Sequence, residues 1–271
     1  MRAPAAIAGY QESGWAQLDG GRVRVARLRS TDRWQPHRPV LVLLHEGLGC
    51  IELWRDFPGR LAQRTGLDAL VYDRPGYGGS DPDPLPRGAD YLHREAAERL
   101  PALLEQEGVR SPVLVGHSDG ASITLLHAAA HPVAACITMA AHVLVEEVTL
   151  EGIRAARRAW QETDLRERLA RYHGTNTDWA YRSWVETWLA PWFRDWNIEA
   201  ELAGITAPVL ALQDEADEYG SRCQVERIVA ACAGPAEPCL LTDCGHSPHR
   251  EQPEAAVGVI AGFLERHGVC A

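Results

Sequence analysis

The chain is 271 residues long, 46% hydrophobic and 24% charged, with a formal net charge of -10. Enough apolar residue is present for a large core, so disorder is excluded as the default state, and the length suits one main domain with an insertion. The negative charge repels nucleic acid and anionic membrane alike, which leaves a small neutral molecule as the expected partner.

All 27 basic residues are arginine, which removes Schiff-base and Walker-type lysine chemistry from consideration. Residues Met1 to Gln11 lack the basic start and long apolar stretch of a secretory signal, and no later run reaches membrane-spanning length. A cytoplasmic location is expected. The cysteines (Cys50, Cys136, Cys223, Cys232, Cys239, Cys244, Cys270) are scattered without a Cys-x-x-Cys pair and read as mostly buried thiols.

In chain order, Trp15 to Leu18 and Arg22 to Leu28 flank Asp19-Gly20-Gly21, which predicts an antiparallel hairpin. Apolar runs follow at Val40 to Leu44, Ala69 to Tyr72, Val113 to Val115, Cys136 to Met139, Val209 to Leu212 and Leu240 to Thr242, with Pro208 and Pro238 at the start of the last two strands. They alternate with helical stretches around Trp54 to Thr65, Tyr91 to Glu107, Ala121 to Ala130, Gln224 to Ala233 and Glu254 to His267. This is the pattern of a mostly parallel sheet in an α/β fold. From about His142 to Leu202 the alternation breaks: charged residues and tryptophans recur at helical spacing, and no run is strand-like. A helical cap is expected there. Tyr181, Trp184 and Trp188 share one helix face, ended by Pro191; they read as the cap's own core, with some of them facing a pocket.

The chemistry centres on Val113 to Gly120, where an apolar run ends in Gly-His-Ser-Asp-Gly and leads directly into a helix. A strand that turns into a helix this tightly holds Ser118 in a strained backbone with its hydroxyl exposed, and only glycine fits at Gly116 and Gly120. A serine hydroxyl needs a histidine to take its proton and a carboxylate to orient that histidine, and both are expected C-terminal to Ser118. After Val209 to Leu212 comes Gln213-Asp214-Glu215-Ala216-Asp217-Glu218. Asp217 is the expected acid because it can bend back from the loop; Asp214 is second, with a turn-forming role as its plainer reading, and Glu215 and Glu218 read as solvated. His246, after Gly245 at a loop tip, is the expected base, whereas His249 lies nearer the last helix and reads as a surface residue. No histidine, cysteine or carboxylate spacing implies a metal. For the oxyanion, the expected donors are the backbone N-H of Asp119 and that of Gly47 in the loop His45-Glu46-Gly47-Leu48-Gly49, with Leu48 as an alternative.

On these residues, together with Asp73-Arg74-Pro75-Gly76-Tyr77-Gly78-Gly79-Ser80, the chain resembles the α/β-hydrolase superfamily along nearly its whole length, and within it the capped bacterial esterase-like hydrolases. The resemblance implies an α/β-hydrolase fold with helices on both sheet faces. Residues 1–141 and 203–271 would form the core and 142–202 the cap. It also implies cleavage of a small carboxylic ester or thioester through an acyl-enzyme, without a cofactor, by Ser118, His246 and Asp217. Glu46, Leu48, Trp184 and Trp188 are the expected pocket residues. The same triad could serve a carbon-carbon bond hydrolase of ring-fission products or a cofactor-free perhydrolase, and a scaffold that only binds its ligand is a further alternative. The sequence leaves the oligomeric state open. Two positions depart from the superfamily's usual pattern: Glu46 follows the loop histidine, where glycine is common, and Asp119 follows the serine, where an uncharged residue is common. Carboxylates there would oppose a developing oxyanion, so they are expected to point away, pair, or carry a proton, with Asp119 turned beneath the elbow onto backbone N-H groups or an arginine such as Arg74.

Overall fold

A computed structural model describes residues 9–30, 34–35 and 37–270; the expectation for Met1 to Gln11 falls largely outside them. Strands β1 (Glu12–Leu18) and β2 (Gly21–Leu28) form the expected hairpin. Next come β3 (Val40–Leu44), α1 (Phe57–Thr65) and β4 (Asp68–Tyr72). Helix α2 (Tyr91–Arg94) continues through a π turn at Glu95–Arg99 into α3 (Leu100–Glu107). Then follow β5 (Pro112–His117), α4 (Asp119–Ala130) and β6 (Ala135–Met139). Three helices, α5 (Glu147–Glu162), α6 (Leu165–His173) and α7 (Thr177–Trp188), separate β6 from β7 (Val209–Asp214). The chain closes with α8 (Arg222–Ala231), β8 (Ala236–Leu241), α9 (Pro248–Glu251) and α10 (Pro253–Arg266).

The eight strands form one sheet in the order β1-β2-β4-β3-β5-β6-β7-β8. The pairs β1–β2 and β2–β4 are antiparallel and all others parallel. Strands β3 to β6 are buried along their whole length and mostly apolar, as strands covered on both faces are. With side chains alternating across the pleat, Leu41 and Leu43 pack with Phe57 and Leu61 of α1 and Ile260 and Phe263 of α10. Val40, Val42 and Leu44 join the opposite cluster, with Leu100 and Leu103 of α3 and Val225 and Ile228 of α8. Each such buried Leu, Val or Phe contributes about 1.5–3 kcal/mol. Helices therefore cover both faces, and the carboxyl ends of β3, β5, β6 and β7 converge on one edge, where ligands of open α/β sheets bind.

Two expectations need correction. Strand β8 begins at Ala236 rather than near Leu240, and Pro238 lies inside it. As the last strand of the sheet, β8 has one free edge, so a missing N-H can be tolerated, and its half-buried residues give a weak apolar signal. The cysteines are all free, but only Cys50, Cys136 and Cys244 are buried; the other four are half-buried.

The helical segment between β6 and β7 is closed at its base, where Ile198 N-H donates to the Val143 carbonyl at 2.8 Å and Leu144 bridges Asn197. Among the described residues no helix is long and apolar enough to cross a membrane.

Candidate active site

Strand β5 delivers Ser118 to α4 with φ 52° and ψ -117°, a left-handed backbone that a non-glycine residue adopts only under strain. The tightness is enforced from both sides. A Cβ on Gly120 would overlap the Leu44 carbonyl, and one on Gly116 would overlap the Gly120 carbonyl. Ser118 N-H donates to the Met139 carbonyl at 2.9 Å, which fixes the turn against β6. Its side chain then faces a cavity of about 230 Å3.

His246 lines the same cavity, and its Nδ1 lies 2.8 Å from Asp217 Oδ1. The carboxylate also accepts Tyr219 N-H at 2.8 Å, which pins the loop after β7. Burial pushes the His246 imidazole down, but the hydrogen bond and charge of Asp217 outweigh it, so the ring titrates above the ordinary histidine value. Burial likewise pushes Asp217 up, and His246 reverses this, leaving the carboxyl below its ordinary range. Because Asp217 accepts from Nδ1-H, Nε2 is the basic nitrogen, and it makes no protein hydrogen bond among the described residues. The Ser118 hydroxyl also makes none. A serine–histidine contact of this kind tightens when substrate binds. The rings of His117, directly before Ser118, and His246 are 5.0 Å apart, so the imidazole stands beside the elbow.

The competing candidates have structural positions. Asp214 is buried and accepts backbone N-H from Ala216 at 2.7 Å and Cys244 at 3.0 Å, joining the two loops that carry Asp217 and His246. Glu215 and Glu218 are exposed, but Glu218 also reaches the cavity rim and accepts His246 N-H at 3.2 Å. His249, expected at the surface, is buried: its ring packs 4.7 Å from Trp54 and 4.7 Å from His117. The short helix α9 turns it inward over α1, a tertiary placement that the local residues do not encode.

Gly47 and Asp119 both line the cavity, and neither N-H has a protein partner among the described residues. Asp119 is the first residue of α4, where the helix leaves its N-H groups free. Gly47 must lack a side chain because its Cβ would lie 2.5 Å from Trp184 Cδ1. Each of the two carboxylates in question lies against a basic side chain. Asp119 is 1% exposed, lies 3.7 Å from Arg74 Nη2 and accepts the Tyr91 hydroxyl at 3.0 Å. Glu46 Oε2 is 3.3 Å from His117 Nδ1, in an arrangement too bent to be a hydrogen bond. Burial raises Glu46, but the adjacent His117 outweighs it and leaves the carboxyl below its ordinary range.

Leu48, Trp184 and Trp188 also line the cavity, and Thr149, Ile153 and Tyr219 complete its apolar side. Trp184 and Trp188 thus form wall as well as core; Tyr181 instead stacks on Trp160 at 3.7 Å, inside the helical segment. That segment is fastened to the core loops by His173, whose Nδ1 accepts Gly78 N-H and whose Nε2-H donates to the Leu48 carbonyl, each at 3.0 Å.

Sequence reasoning did not single out His117, His142, Ser247 or Tyr219 as cavity residues. Their common signal is position just beyond, or at, the carboxyl end of a strand. Among the described residues, Cys50, Glu52 and Asp73 cluster closely enough to ligate a metal ion, but Arg24 already bridges the carboxylates at 2.7 Å (Asp73) and 2.6 Å (Glu52).

Comparison with known proteins gives a match of residues 41–259 to the model of the Alpha/beta hydrolase family. None of the curated proteins matches the sequence. Similar solved structures include a membrane phospholipase A described as a bacterial virulence factor, 21% identical with a TM-score of 0.74 over 96% of this chain and 87% of that one. The enol-lactonase from Burkholderia xenovorans LB400 is 20% identical, with a TM-score of 0.73 over 93% of this chain and 99% of that one. A proline iminopeptidase from Mycobacterium smegmatis is 19% identical, with a TM-score of 0.72 over 94% and 98% of the two chains. At these identities the likeness is one of fold.

Proposed function

The chain belongs to the alpha/beta hydrolase family, and from that premise we propose that it is a serine hydrolase that cleaves a small, uncharged carboxylic ester or thioester through an acyl-enzyme. The observation that carries this reading is the strained Ser118 and the Asp217–His246 pair opening on one cavity beside two backbone N-H groups that have no protein partner among the described residues.

In the proposed reaction the Ser118 Oγ-H proton passes to His246 Nε2 as Oγ bonds to the substrate carbonyl carbon. The carbonyl π pair moves to oxygen, where the N-H groups of Gly47 and Asp119 stabilise it. Collapse of this adduct breaks the bond to the leaving alkoxide or thiolate, which takes the proton from His246. Water then attacks the acyl-enzyme, gives a proton to the same nitrogen, and the acid departs as that proton returns to Ser118. Asp217 stays ionised throughout and stabilises the imidazolium. Residues 142–202 act in this reading as a cap whose tryptophans shape the acyl site. No arginine lines the cavity among the described residues, whereas Glu46 and Glu218 do, which favours an uncharged acyl group.

The test is turnover of p-nitrophenyl butyrate by wild type and Ser118→Ala. A loss of roughly 10⁴- to 10⁶-fold is expected, with fluorophosphonate labelling of wild type alone. Equal activity in the variant, or a wild type that neither turns over nor labels, would reject the assignment.

A further inference from the structure

Resting on that reading, we propose that Arg74, which contacts no substrate, is the positioning residue of the oxyanion site. It would hold the Glu46–Gly47 peptide so that Gly47 N-H faces the reacting carbonyl.

The starting point is a single carbonyl group. Glu46 C=O accepts three donors at once: His45 Nδ1-H at 2.7 Å, Arg74 Nη2-H at 3.0 Å and Gly49 N-H at 3.0 Å. The His45 tautomer that permits this is itself set by Arg74, whose backbone N-H donates to His45 Nε2 at 3.0 Å and leaves the proton on Nδ1. Arg74 therefore acts on the peptide twice, directly through its side chain and, by way of His45, through its backbone N-H; a side-chain substitution removes only the first. The only cis peptide among the described residues is Leu85-Pro86. In the trans Glu46–Gly47 peptide the N-H points opposite to the C=O. Anchoring the oxygen on Arg74 and His45 thus turns Gly47 N-H to the other side, and Gly47 lines the cavity.

The guanidinium that does this is 1% exposed, with its charge 4.7 Å over the Tyr77 ring and 3.7 Å from Asp119. Asp119 carries the second N-H of the site, so one buried ion pair stands behind both donors. The pair is also tied to the cavity wall. Trp188 Nε1-H donates to the Tyr91 hydroxyl at 3.0 Å, and that hydroxyl donates to Asp119 at 3.0 Å. These contacts explain why a carboxylate can follow the nucleophile: its charge is spent on Arg74 beneath the turn and does not face the oxyanion.

Arg74→Met alone leaves Asp119 buried without a counter-ion and can fail for that reason, so the informative variant is Arg74→Met/Asp119→Asn, which removes both charges. With p-nitrophenyl butyrate as substrate, the double variant should keep a melting temperature near wild type and a KM within about threefold, while kcat falls about 10²-fold, the scale of a lost oxyanion donor. Binding of a trifluoromethyl ketone, which forms an oxyanion on Ser118, should weaken by a similar factor. Recovery of wild-type kcat in the folded double variant would show that Arg74 only stabilises the fold, and unchanged ketone affinity would likewise overturn the proposal. Failure of the underlying hydrolase reading looks different: wild type itself would neither turn over the ester nor bind the ketone.

Discussion

Asp217 spends one oxygen on His246 and Tyr219, and its other oxygen is buried without a partner among the described residues. A carboxylate placed this way has one strong effect, to favour the protonated imidazole, and it does so over 29 residues of chain. The proposed reaction needs His246 neutral, so kcat/KM for an ester should fall as acid protonates it, with a midpoint above the ordinary histidine value because Asp217 raises the ring. Asp217→Asn removes the stabilising charge. Its acid limb should move to lower pH while turnover drops about 10⁴-fold. A pH–rate profile checks both, and a limb that stays in place would separate Asp217 from the titrating group. At this scale the sequence was legible where motif and position coincide: Ser118 by its glycines, His246 by its loop. It was not legible for His249, whose local context is that of a surface loop although α9 folds it against Trp54.

The element that matters most is the β5–α4 turn. Its parts were readable from eight consecutive residues because each requirement there is local: an apolar strand, two positions without Cβ, and a helix start. What compresses the turn is not local, since Leu44 at the end of β3 stands directly over Gly120. Gly120→Ala should therefore push α4 away from β3 and cost about 3 kcal/mol as overpacking, seen as a lower urea midpoint with loss of ester turnover. A variant of parent stability and activity would contradict this account of the turn. The helical segment was readable as helices from tryptophan spacing, but which aromatic residue stays inside it and which reaches the cavity was not. On one face of α7, Tyr181 stacks on Trp160 whereas Trp184 and Trp188 reach the cavity, and only the neighbours that each meets divide them.

For the molecule as a whole, the net charge of -10 and the cavity agree in sign. Glu46 and Glu218 line the cavity and no arginine does among the described residues, so an anionic acyl group meets repulsion both on approach and on binding. Two like charges some 8 Å apart in a partly buried site cost about 2 kcal/mol. A p-nitrophenyl hemisuccinate should thus be cleaved with kcat/KM about tenfold or more below the butyrate ester of equal chain length, and added salt should narrow the gap. Preference for the hemisuccinate would contradict this charge argument.

The sequence by itself determined the α/β alternation, the strands of the sheet except the starts of β1 and β8, the helical break after β6 and the tight β5–α4 turn, because these follow from side-chain period and from backbone limits that neighbouring residues impose. Only the tertiary structure decided that His249 is buried against Trp54, that Glu46 lies beside His117, and how Arg74 comes to lie against the loop after β3. Those contacts join residues far apart in the chain, and their strength comes from burial, a property that no stretch of sequence carries until the sheet and its helices have closed around it.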